Sequence, residues 1–464
     1  MTERPRLTAS EAAQRAGAAV AQGDGRFVAL FADTDAAGDQ LRYIVAAGGR
    51  LALISGVVEG PTPSLDRAAA RWHEIAVSEQ SGFQIAGLPQ SPSPITPSDA
   101  EAYRSVGSPE LSTVLYGPVR SGISEAVRWI IETAGEDFVA VHASFGFKNR
   151  GLERRFVGVP LESACLVAEE VSSATAASHA SAFARAGEDA CGIEAPVRAA
   201  AIRAILVEFE RIHQHLDVLG KLADDASLSV GSAQTFAAKE RVHRLLAEAV
   251  GNRFARGVIT VGGARFDAFA GLSESCGRSL DALEREVCGV VDELFATPSW
   301  IDRLVATGRL SGEIVRAYGG VGPVARGSGV DNDARGLDGW LFTPQEGDAA
   351  LATDGDALAR ARVRRAEIRS SFRLIRNALD AAPAGPHWVS FPTGGRGEGV
   401  ARVESPQGEL VYYVRFGAGI ERVAIRSASF QNWPLFVPSL AGWIFTDFSF
   451  IEHSFGLIVA ETDR

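Results

Sequence analysis

The sequence is poor in cysteine and methionine and lacks any paired cysteine motif. Four of its 464 residues are cysteine and one is methionine. The cysteines are scattered, at Cys165, Cys191, Cys276 and Cys288, and no C-x-x-C pair is present. Scattered cysteines argue against a disulfide framework and are typical of free thiols in a reducing compartment.

An excess of positive charge and a long apolar run are also missing. The chain has 46 basic and 57 acidic side chains, a net charge of −11, which argues against nucleic-acid binding because that needs a basic face. The most apolar late segment, Trp433–Val459, is interrupted by Asp447, Glu452 and His453, so it is too short to span a bilayer. The first residues show no signal-peptide pattern. We therefore expect a cytoplasmic protein without a membrane span of its own.

The first part of the chain predicts a small α+β domain over residues 1–88. A helix is expected over residues 10–22, and strands over Arg26–Ala32, Leu41–Ala47 and Leu51–Val58. Gly48-Gly49 between the last two strands is a hairpin signal, and a further helix is expected from residue 64 to about residue 80. Residues 88–100 hold four prolines, so we expect a linker over 89–110 and a second domain over 111–464.

The second domain is predicted to be mainly helical. Apolar residues recur at three- and four-residue spacing after Pro196, which predicts a helix to about residue 219. Further helices are expected over 234–250, 278–307 and 355–381. Short strands, including Glu409–Phe416, are expected between residues 388 and 426. The predicted fold class is α+β: a small N-terminal α/β domain followed by a large, mainly α-helical domain with small β elements.

No motif identifies an active site from the residues alone. The glycine-rich segment Thr393–Gly399 lacks the strand, helix and Lys-Ser/Thr of a phosphate-binding loop. His213 and His215 are two apart on a predicted helix, so they point to different sides and do not form a chelating pair; one interfacial and one exposed imidazole are expected. His179 lies among small residues, which suits a core histidine where a helix packs closely. Glu210 is either part of a buried proton relay or of a solvated face.

Several separate segments, taken together, resemble one family. The longest are Cys191–Gly220 and Lys239–Gly263. The others follow in the family's order: Tyr116–Gly122, Phe145–Glu153, Gly322–Arg335, Gly355–Ser371, Val403–Gly408, Ile425–Phe430 and Glu461–Arg464. Colinear agreement from 116 to 464 is far more specific than any single motif. By these segments the chain resembles the large subunit of membrane-bound, energy-converting NiFe hydrogenases and its relative, the quinone-cavity subunit of respiratory complex I.

The N-terminal domain adds to this resemblance. Its strands and Glu74–Phe83 look like a degenerate version of the small complex I protein that docks beside the quinone-cavity subunit and is fused to the large subunit in some hydrogenases. The resemblance implies two kinds of partner, an iron–sulfur small subunit and multi-span, antiporter-like membrane subunits. It also implies a peripheral position on the cytoplasmic face of the membrane, with the iron–sulfur clusters held by a partner.

The positions of the family's metal ligands are occupied by other residues. In the hydrogenases, two C-x-x-C motifs give four thiolates to nickel and iron, which are soft ligands suited to those metals. Alignment with the family motifs puts the first pair at Ser172 and Thr175, and the second at Ile458 and Glu461. A hydroxyl does not deprotonate near neutral pH, and isoleucine has no ligand atom. We therefore predict that this chain binds no nickel–iron centre and no other metal.

The family's quinone-binding positions are substituted as well. The histidine and tyrosine that hold the quinone head in complex I correspond to Ser124 and Ser173, and Arg120 stands where the family has another histidine. Charged family positions that remain include Arg150, Glu153, Glu208, Arg211 and Arg326.

Two functions follow from the resemblance. The first is a peripheral-arm subunit of an oxidoreductase complex of the NADH:quinone oxidoreductase or formate hydrogenlyase type, without a nickel–iron centre, which couples electron transfer to ion-translocating membrane subunits. The second is reduction of a quinone or another small oxidant in the remodelled cavity, with His179, Arg120 and Glu461 as candidate catalytic residues. A structural remnant subunit is the third alternative.

Overall fold

The computed structural model of the chain describes residues 7–36, 38–88, 93–97, 110–120, 125–269, 275–337, 351–391 and 396–463. These residues form two compact units. The first unit comprises the described residues within Met1–Asn149, with Arg316–Gly320 and Asp463. The second comprises those within Arg150–Val315 and Val321–Thr462. Most of the predicted linker at 89–110 lies outside the described residues, so the domain boundary stays a prediction.

The described residues of the first unit include two helices, a mixed four-stranded sheet, an antiparallel three-stranded sheet and a short parallel strand pair. In chain order, its elements are β1 (Leu7–Thr8), α1 (Ala9–Ala21), β2 (Arg26–Asp35), β3 (Gly38–Ala47), β4 (Arg50–Val57), β5 (Thr62–Pro63), α2 (Ala68–Ser81), β6 (Ile85–Ala86), β7 (Ser112–Tyr116), β8 (Arg128–Ala134) and β9 (Asp137–Ser144). One sheet has the order β1-β4-β3-β2, another has the order β7-β8-β9, and β5 pairs with β6. The helix α1 packs its alanine face on β3 and β4. The predicted N-terminal strands are confirmed.

The turn between β3 and β4 shows why the sequence folds as it does here. Gly48 and Gly49 have φ values of 57° and 73°, a left-handed conformation that glycine adopts without steric cost. The helix α2 starts at Ala68, four residues later than predicted. Ser64 is extended because its backbone N–H donates to the Ala86 carbonyl, and its hydroxyl donates to the Glu74 carboxylate at 2.8 Å.

The remaining elements are mostly helices. They are α3 (Leu152–Arg155), α4 (Leu161–Glu169), α5 (Ala176–Cys191), α6 (Val197–Asp225), α7 (Ser229–Val250), β10 (Ile259–Thr260), β11 (Gly263–Ala264), α8 (Ser275–Phe295), α9 (Pro298–Leu304), α10 (Gly312–Ala317), α11 (Gly322–Arg326), α12 (Ala357–Ala381), β12 (Gly397–Ser405), β13 (Gly408–Phe416), β14 (Ile420–Arg426), α13 (Ala428–Asn432), α14 (Phe436–Ser439), α15 (Phe448–Phe455) and α16 (Val459–Thr462). The α+β fold class is confirmed.

The helix α6 is the centre of the second unit. Pro196 precedes it at the N-cap, where a missing N–H costs nothing, and the helix packs against α5, α7, α12 and α15. The single helix predicted over 278–307 is wrong, because the structure has two helices there, α8 and α9. Thr297 adopts an extended conformation before Pro298, as the proline ring requires of the preceding residue.

The strands β12, β13 and β14 form an antiparallel sheet that covers α5. Gly399 on β12 allows this close packing, since a Cβ at that position would overlap the Ala186 carbonyl of α5. The helix α5 is therefore enclosed by the sheet on one side and touches α6 and α4 as well. In the part of the chain that the structure describes, no helix combines the length and apolar character needed to cross a bilayer.

Candidate functional site

The turn that leads into α5 carries two of the four positions at which the family has metal ligands. Ser172 is buried, and its hydroxyl accepts a hydrogen bond from the Ala174 N–H at 3.2 Å. Residues Ser173–Thr175 form one 3-10 turn, after which α5 begins. Thr175 is completely buried, whereas Ser173 is exposed. The chain thus directs the Thr175 hydroxyl into the interior of the second unit.

Glu461 reaches the same place from the helix α16. Its buried carboxylate accepts a short hydrogen bond from the Thr175 hydroxyl, and its other oxygen accepts one from the Ser429 hydroxyl at 2.9 Å. The backbone carbonyl of Glu461 accepts from the Ser427 hydroxyl at 3.1 Å. Two of the four family ligand positions, Thr175 and Glu461, are therefore hydrogen-bonded to each other.

His179 lies one turn further along α5 and is completely buried. Its Nδ1 is 2.7 Å from the Tyr412 hydroxyl, and its Nε2 is 3.6 Å from the nearer Glu461 carboxylate oxygen. When Nδ1 accepts the hydroxyl proton of Tyr412, the ring proton sits on Nε2 and faces Glu461. Nε2 has no hydrogen-bond partner among the described residues. Tyr412, His179 and Glu461 thus form a buried series of neighbouring acid and base groups.

Glu210 approaches the first turn of α5 from α6. Its carboxylate accepts from the backbone N–H groups of Ala177 and Ser178, at 2.7 and 3.1 Å, and from the Ser178 hydroxyl. Burial raises the pKa of Glu210 to about 8, against the effect of these hydrogen bonds, and the charge of Glu461 acts in the same direction. The interpretation of Glu210 as part of a solvated face is wrong, since its residue surface is only 3% exposed.

These donors do not fit a nickel–iron centre. Such a centre needs four thiolates, and the corresponding side chains are two hydroxyls, one carboxylate and the hydrocarbon of Ile458. The Thr175 hydroxyl and Glu461 already satisfy each other, and the Ile458 N–H donates to Ser429 at 3.0 Å. Over the described ranges, no group of three or more His, Cys, Asp or Glu side chains is arranged to hold a metal ion.

The other predicted site residues that the structure describes have surroundings of their own. Arg120 belongs to the first unit, where its guanidinium donates to the Glu125 carbonyl at 2.7 Å and lies over the Tyr116 ring. The hydroxyl of Ser173 accepts from Arg256 at 2.8 Å on the surface. Ser124 lies outside the described residues. Of the three candidate catalytic residues, His179 and Glu461 lie together in the second unit, and Arg120 belongs to the first unit.

A second buried group surrounds Arg326, one of the charged family positions. The Arg326 guanidinium is 2.8 Å from both the Glu367 and the Glu404 carboxylates. The same ionic cluster contains Glu208, Arg211, Asp333, Arg335 and His215. The nearby arginines hold the pKa of Glu367 well below its usual range. Burial raises the pKa of Glu404, while Arg326 opposes that rise.

His215 and His213 both differ from the expected arrangement of one interfacial and one exposed imidazole. His215 contacts Glu367 at 2.7 Å, and His213 lies against the His243 ring with 4.4 Å between the centroids. Both residues are buried because neighbouring helices cover α6 on almost every side. Arg150 and Glu153 have other partners. The Arg150 guanidinium donates to the carbonyls of Glu170 and Val171, and the Glu153 carboxylate forms an ion pair with Arg422.

Sequence reasoning missed Tyr412 and Ser429 as members of the site. Tyr412 lies in a strand that was predicted correctly, but nothing in the sequence indicates that it meets His179, 233 positions away. Ser429 lies in the short helix α13, which Ser427 caps at its N-terminus. The sequence there indicates a helix cap and does not indicate a contact with Glu461.

Comparison with known proteins places this chain in one class, the large subunits of membrane-bound oxidoreductases. Residues 227–394 match the family described as respiratory-chain NADH dehydrogenase, 49 Kd subunit. The chain is 32% identical over 379 residues to the membrane-bound hydrogenase subunit alpha of Pyrococcus furiosus, a match that covers 75% of this chain and 86% of that protein. The chain therefore belongs to this family, as the resemblance predicted.

Further relatives support the same assignment. Formate hydrogenlyase subunit 5 of Escherichia coli is 29% identical over 385 residues, covering 81% of this chain and 67% of that protein. The D-type subunit of NADH-quinone oxidoreductase from Geobacter sulfurreducens is 26% identical over 395 residues, covering 77% and 100%. A chain of the membrane-bound sulfane sulfur reductase, an archaeal respiratory membrane complex, has the same fold, with a TM-score of 0.70, 24% identity and coverage of 76% and 99%.

Proposed function

We propose that the chain is a peripheral-arm subunit of a complex I-like or energy-converting-hydrogenase-like membrane oxidoreductase that has no nickel–iron centre. Its partners are an iron–sulfur small subunit and multi-span, antiporter-like membrane subunits on the cytoplasmic face. In this assembly the chain couples electron transfer in the iron–sulfur partner to ion translocation. The proposal is supported by the relatives, which are named as subunits of hydrogenase, formate hydrogenlyase and NADH-quinone oxidoreductase complexes.

The hydrogen bond between Thr175 and Glu461 carries the proposal that the metal is absent. It joins two family ligand positions directly, and neither side chain offers the thiolate sulfur that nickel and iron need there. Ile458 adds a hydrocarbon at a third position. The scaffold that supports the family's metal site is kept, whereas its ligand chemistry is lost. A role in assembly and coupling needs the scaffold alone.

Metal analysis of the purified complex tests this function. We expect iron from the iron–sulfur partner and far less than one nickel per copy of this chain. A nickel-containing membrane-bound hydrogenase, purified in the same way, is the matched control for metal loss during purification. Stoichiometric nickel in the complex of this chain contradicts the proposal.

Affinity purification from detergent-solubilised membranes tests the partners. We expect an iron–sulfur protein and multi-span membrane proteins to copurify with the tagged chain. When the membranes are first stripped of peripheral proteins at high pH, we expect this copurification to be lost. Recovery of the chain alone from gently solubilised membranes contradicts the proposed assembly.

A second candidate function is reduction of a quinone or another small oxidant in the remodelled cavity. The observation in its favour is the unpaired Nε2 of His179 beside Glu461, a buried proton donor without a protein acceptor in hydrogen-bond range among the described residues. His179→Ala should then abolish quinone reductase activity of the complex, while His387→Ala, at a partly exposed histidine, should leave it unchanged. Equal activity of both variants and the wild type excludes this function.

A further inference from the structure

Glu210 and Glu461 are buried carboxylates of the second unit that lack an arginine or lysine partner among the described residues. Glu188 pairs with Arg203 at 2.5 Å, and Glu409 pairs with Arg426. Glu210 and Glu461 are equally buried, yet within the described ranges neither has a Lys or Arg within ion-pair distance. Burying an ionised carboxylate without a counter-charge is costly, and two of them together are costlier still.

Both carboxylates converge on the start of α5. Glu210 accepts from the N–H groups of Ala177 and Ser178 in the first turn, and Glu461 accepts from Thr175, the residue just before that turn. The positive end of the helix dipole stabilises negative charge at this place. It offsets part of the burial cost of one carboxylate, but two negative charges compete for the same helix end.

His179 is the third titratable group at this place. Its buried Nε2 has no hydrogen-bond partner among the described residues and faces the Glu461 carboxylate at 3.6 Å. This unpaired nitrogen is a second observation, independent of the helix end, and it indicates that the group is built to hold or pass a proton. Tyr412 from β13 is the remaining titratable contact, through Nδ1 of the same ring.

We propose that Glu210, His179 and Glu461 form a buried proton-binding site that takes the place of the family's metal centre. The ligand is a proton, which adds to a carboxylate oxygen to give the neutral acid and leaves as the carboxylate forms; no electron is transferred in this step. The site binds one exchangeable proton at neutral pH and releases it in moderately alkaline solution. Proton binding itself is independent of the proposed assembly, whereas its use to balance the charge of an electron in the iron–sulfur partner rests on the proposed function.

The protonation state of Glu210 supports this site. Burial raises the pKa of Glu210 to about 8, so the acid is neutral over most of the physiological range. The groups that face Glu210 are the N–H groups and hydroxyl at the start of α5, and the carboxylate of Glu461 from α16. The hydroxyl and N–H groups favour ionisation, and the second carboxylate opposes it.

Infrared spectroscopy of the whole purified chain tests the proposal without any activity assay, because a neutral carboxylic acid and a carboxylate absorb at different frequencies. Wild type and Glu210→Gln are compared over a pH series, after circular dichroism has shown that both are folded. We expect the difference spectrum to contain a protonated carboxyl band at neutral pH that fades at moderately alkaline pH. Glu162→Gln, at an exposed glutamate, is the control and should give no such band at neutral pH.

A second variant keeps the test decisive if Glu210→Gln does not fold. Ser178→Ala removes a hydroxyl that favours the ionised carboxylate, so the midpoint at which the Glu210 band fades should move to higher pH. Absence of a protonated band from Glu210 at neutral pH, or a band whose midpoint does not respond to Ser178→Ala, overturns the proposal. Nickel in the complex contradicts the proposed function instead, so the two failures are distinguishable.

Discussion

Glu461 shows at the scale of one residue how a buried carboxylate is tolerated. Its two oxygens accept from the hydroxyls of Thr175 and Ser429. Charge-assisted hydrogen bonds of this kind are roughly twice as strong as those between neutral groups. Removing one donor leaves part of the carboxylate without a partner in a dry environment, which costs more than the bond itself contributes.

Thr175→Val tests this dependence, since valine has nearly the same shape and lacks the hydroxyl. We expect the free energy of unfolding, measured by urea denaturation, to fall by about 2 kcal/mol. Thr175→Ser keeps the hydroxyl and is the control, with a smaller loss expected. If both variants lose the same stability, the hydrogen bond to Glu461 contributes nothing.

The titration of Glu210 predicts a pH dependence of stability. Its pKa is about 8 in the folded chain and near the ordinary value of about 4.3 when unfolded. Between these values the folded state holds a proton that the unfolded state has lost, so this residue lowers stability progressively as pH rises from about 4 to about 8. Above that range its effect is constant.

Glu210→Gln cannot titrate, so its stability relative to wild type should rise between about pH 5 and about pH 8. Urea denaturation at both pH values measures this difference, and Glu162→Gln serves as the exposed control, with no change expected. A relative stability of Glu210→Gln that is the same at both pH values shows that Glu210 ionises in the folded state as it does in water.

At the residue scale, the sequence could locate part of the site but not its contacts. Thr175 and Glu461 were found by their distance from recognisable family residues, with His179 as one of those reference points. Which side chains meet them is decided by tertiary packing, as with Tyr412, which comes from a strand far along the chain. Burial of Glu210 was equally hidden, because acidic side chains on a helix are usually exposed.

The ionic cluster around Arg326 acts at the scale of elements. Arg326 from α11 contacts Glu367 of α12 and Glu404 of β12, and Glu367 in turn contacts His215 of α6. Four elements are thereby joined through charges that are almost fully buried. A buried ion pair of this kind contributes little more to stability than an apolar contact. Removing one partner, however, leaves the other charge buried without a counter-charge, which is strongly destabilising.

Arg326→Gln should therefore be strongly destabilising. It leaves Glu367 and Glu404 without their shared guanidinium, and we expect the free energy of unfolding to fall by roughly 3 to 5 kcal/mol. Arg362→Gln, which removes an exposed arginine from its pair with Asp354, should change it by less than about 1 kcal/mol. Thermal denaturation of both variants gives the comparison. Equal melting temperatures contradict a supporting role for the cluster.

Elements with strong local signals were predicted and those that depend on distant pairing were not. The β3–β4 hairpin and α6 follow from a Gly-Gly turn and a long apolar periodicity. The sheet β7-β8-β9 went unpredicted, because its strands read as ordinary mixed sequence until they pair. The separation of α8 from α9 was missed although Pro298 marks it, since the apolar spacing continues across the break.

At the scale of the whole molecule, residues far apart in the sequence complete each compact unit. The buried carboxylate of Asp463 accepts from the N–H groups of Gly146 and Lys148, both at 2.8 Å, within the first unit. Backbone N–H groups in a loop need such an acceptor when they are buried.

Asp463→Ala should lower the free energy of unfolding by about 1 to 3 kcal/mol, because both N–H groups lose their acceptor. Asp463→Asn keeps one carbonyl oxygen and should lose less. Urea denaturation followed by fluorescence compares the two variants with wild type. A larger loss for asparagine than for alanine contradicts this role of Asp463.

The bond between Thr175 and Glu461 also fixes when the second unit can finish folding. The two residues are 286 positions apart, so at about 5 to 20 residues per second the ribosome adds Glu461 roughly 15 to 60 s after Thr175. During that interval the Thr175 hydroxyl lacks its acceptor on Glu461, and the contacts from Tyr412 through His179 to Glu461 cannot form. Completion of this core therefore has to wait until Glu461 has been synthesised and α16 has docked.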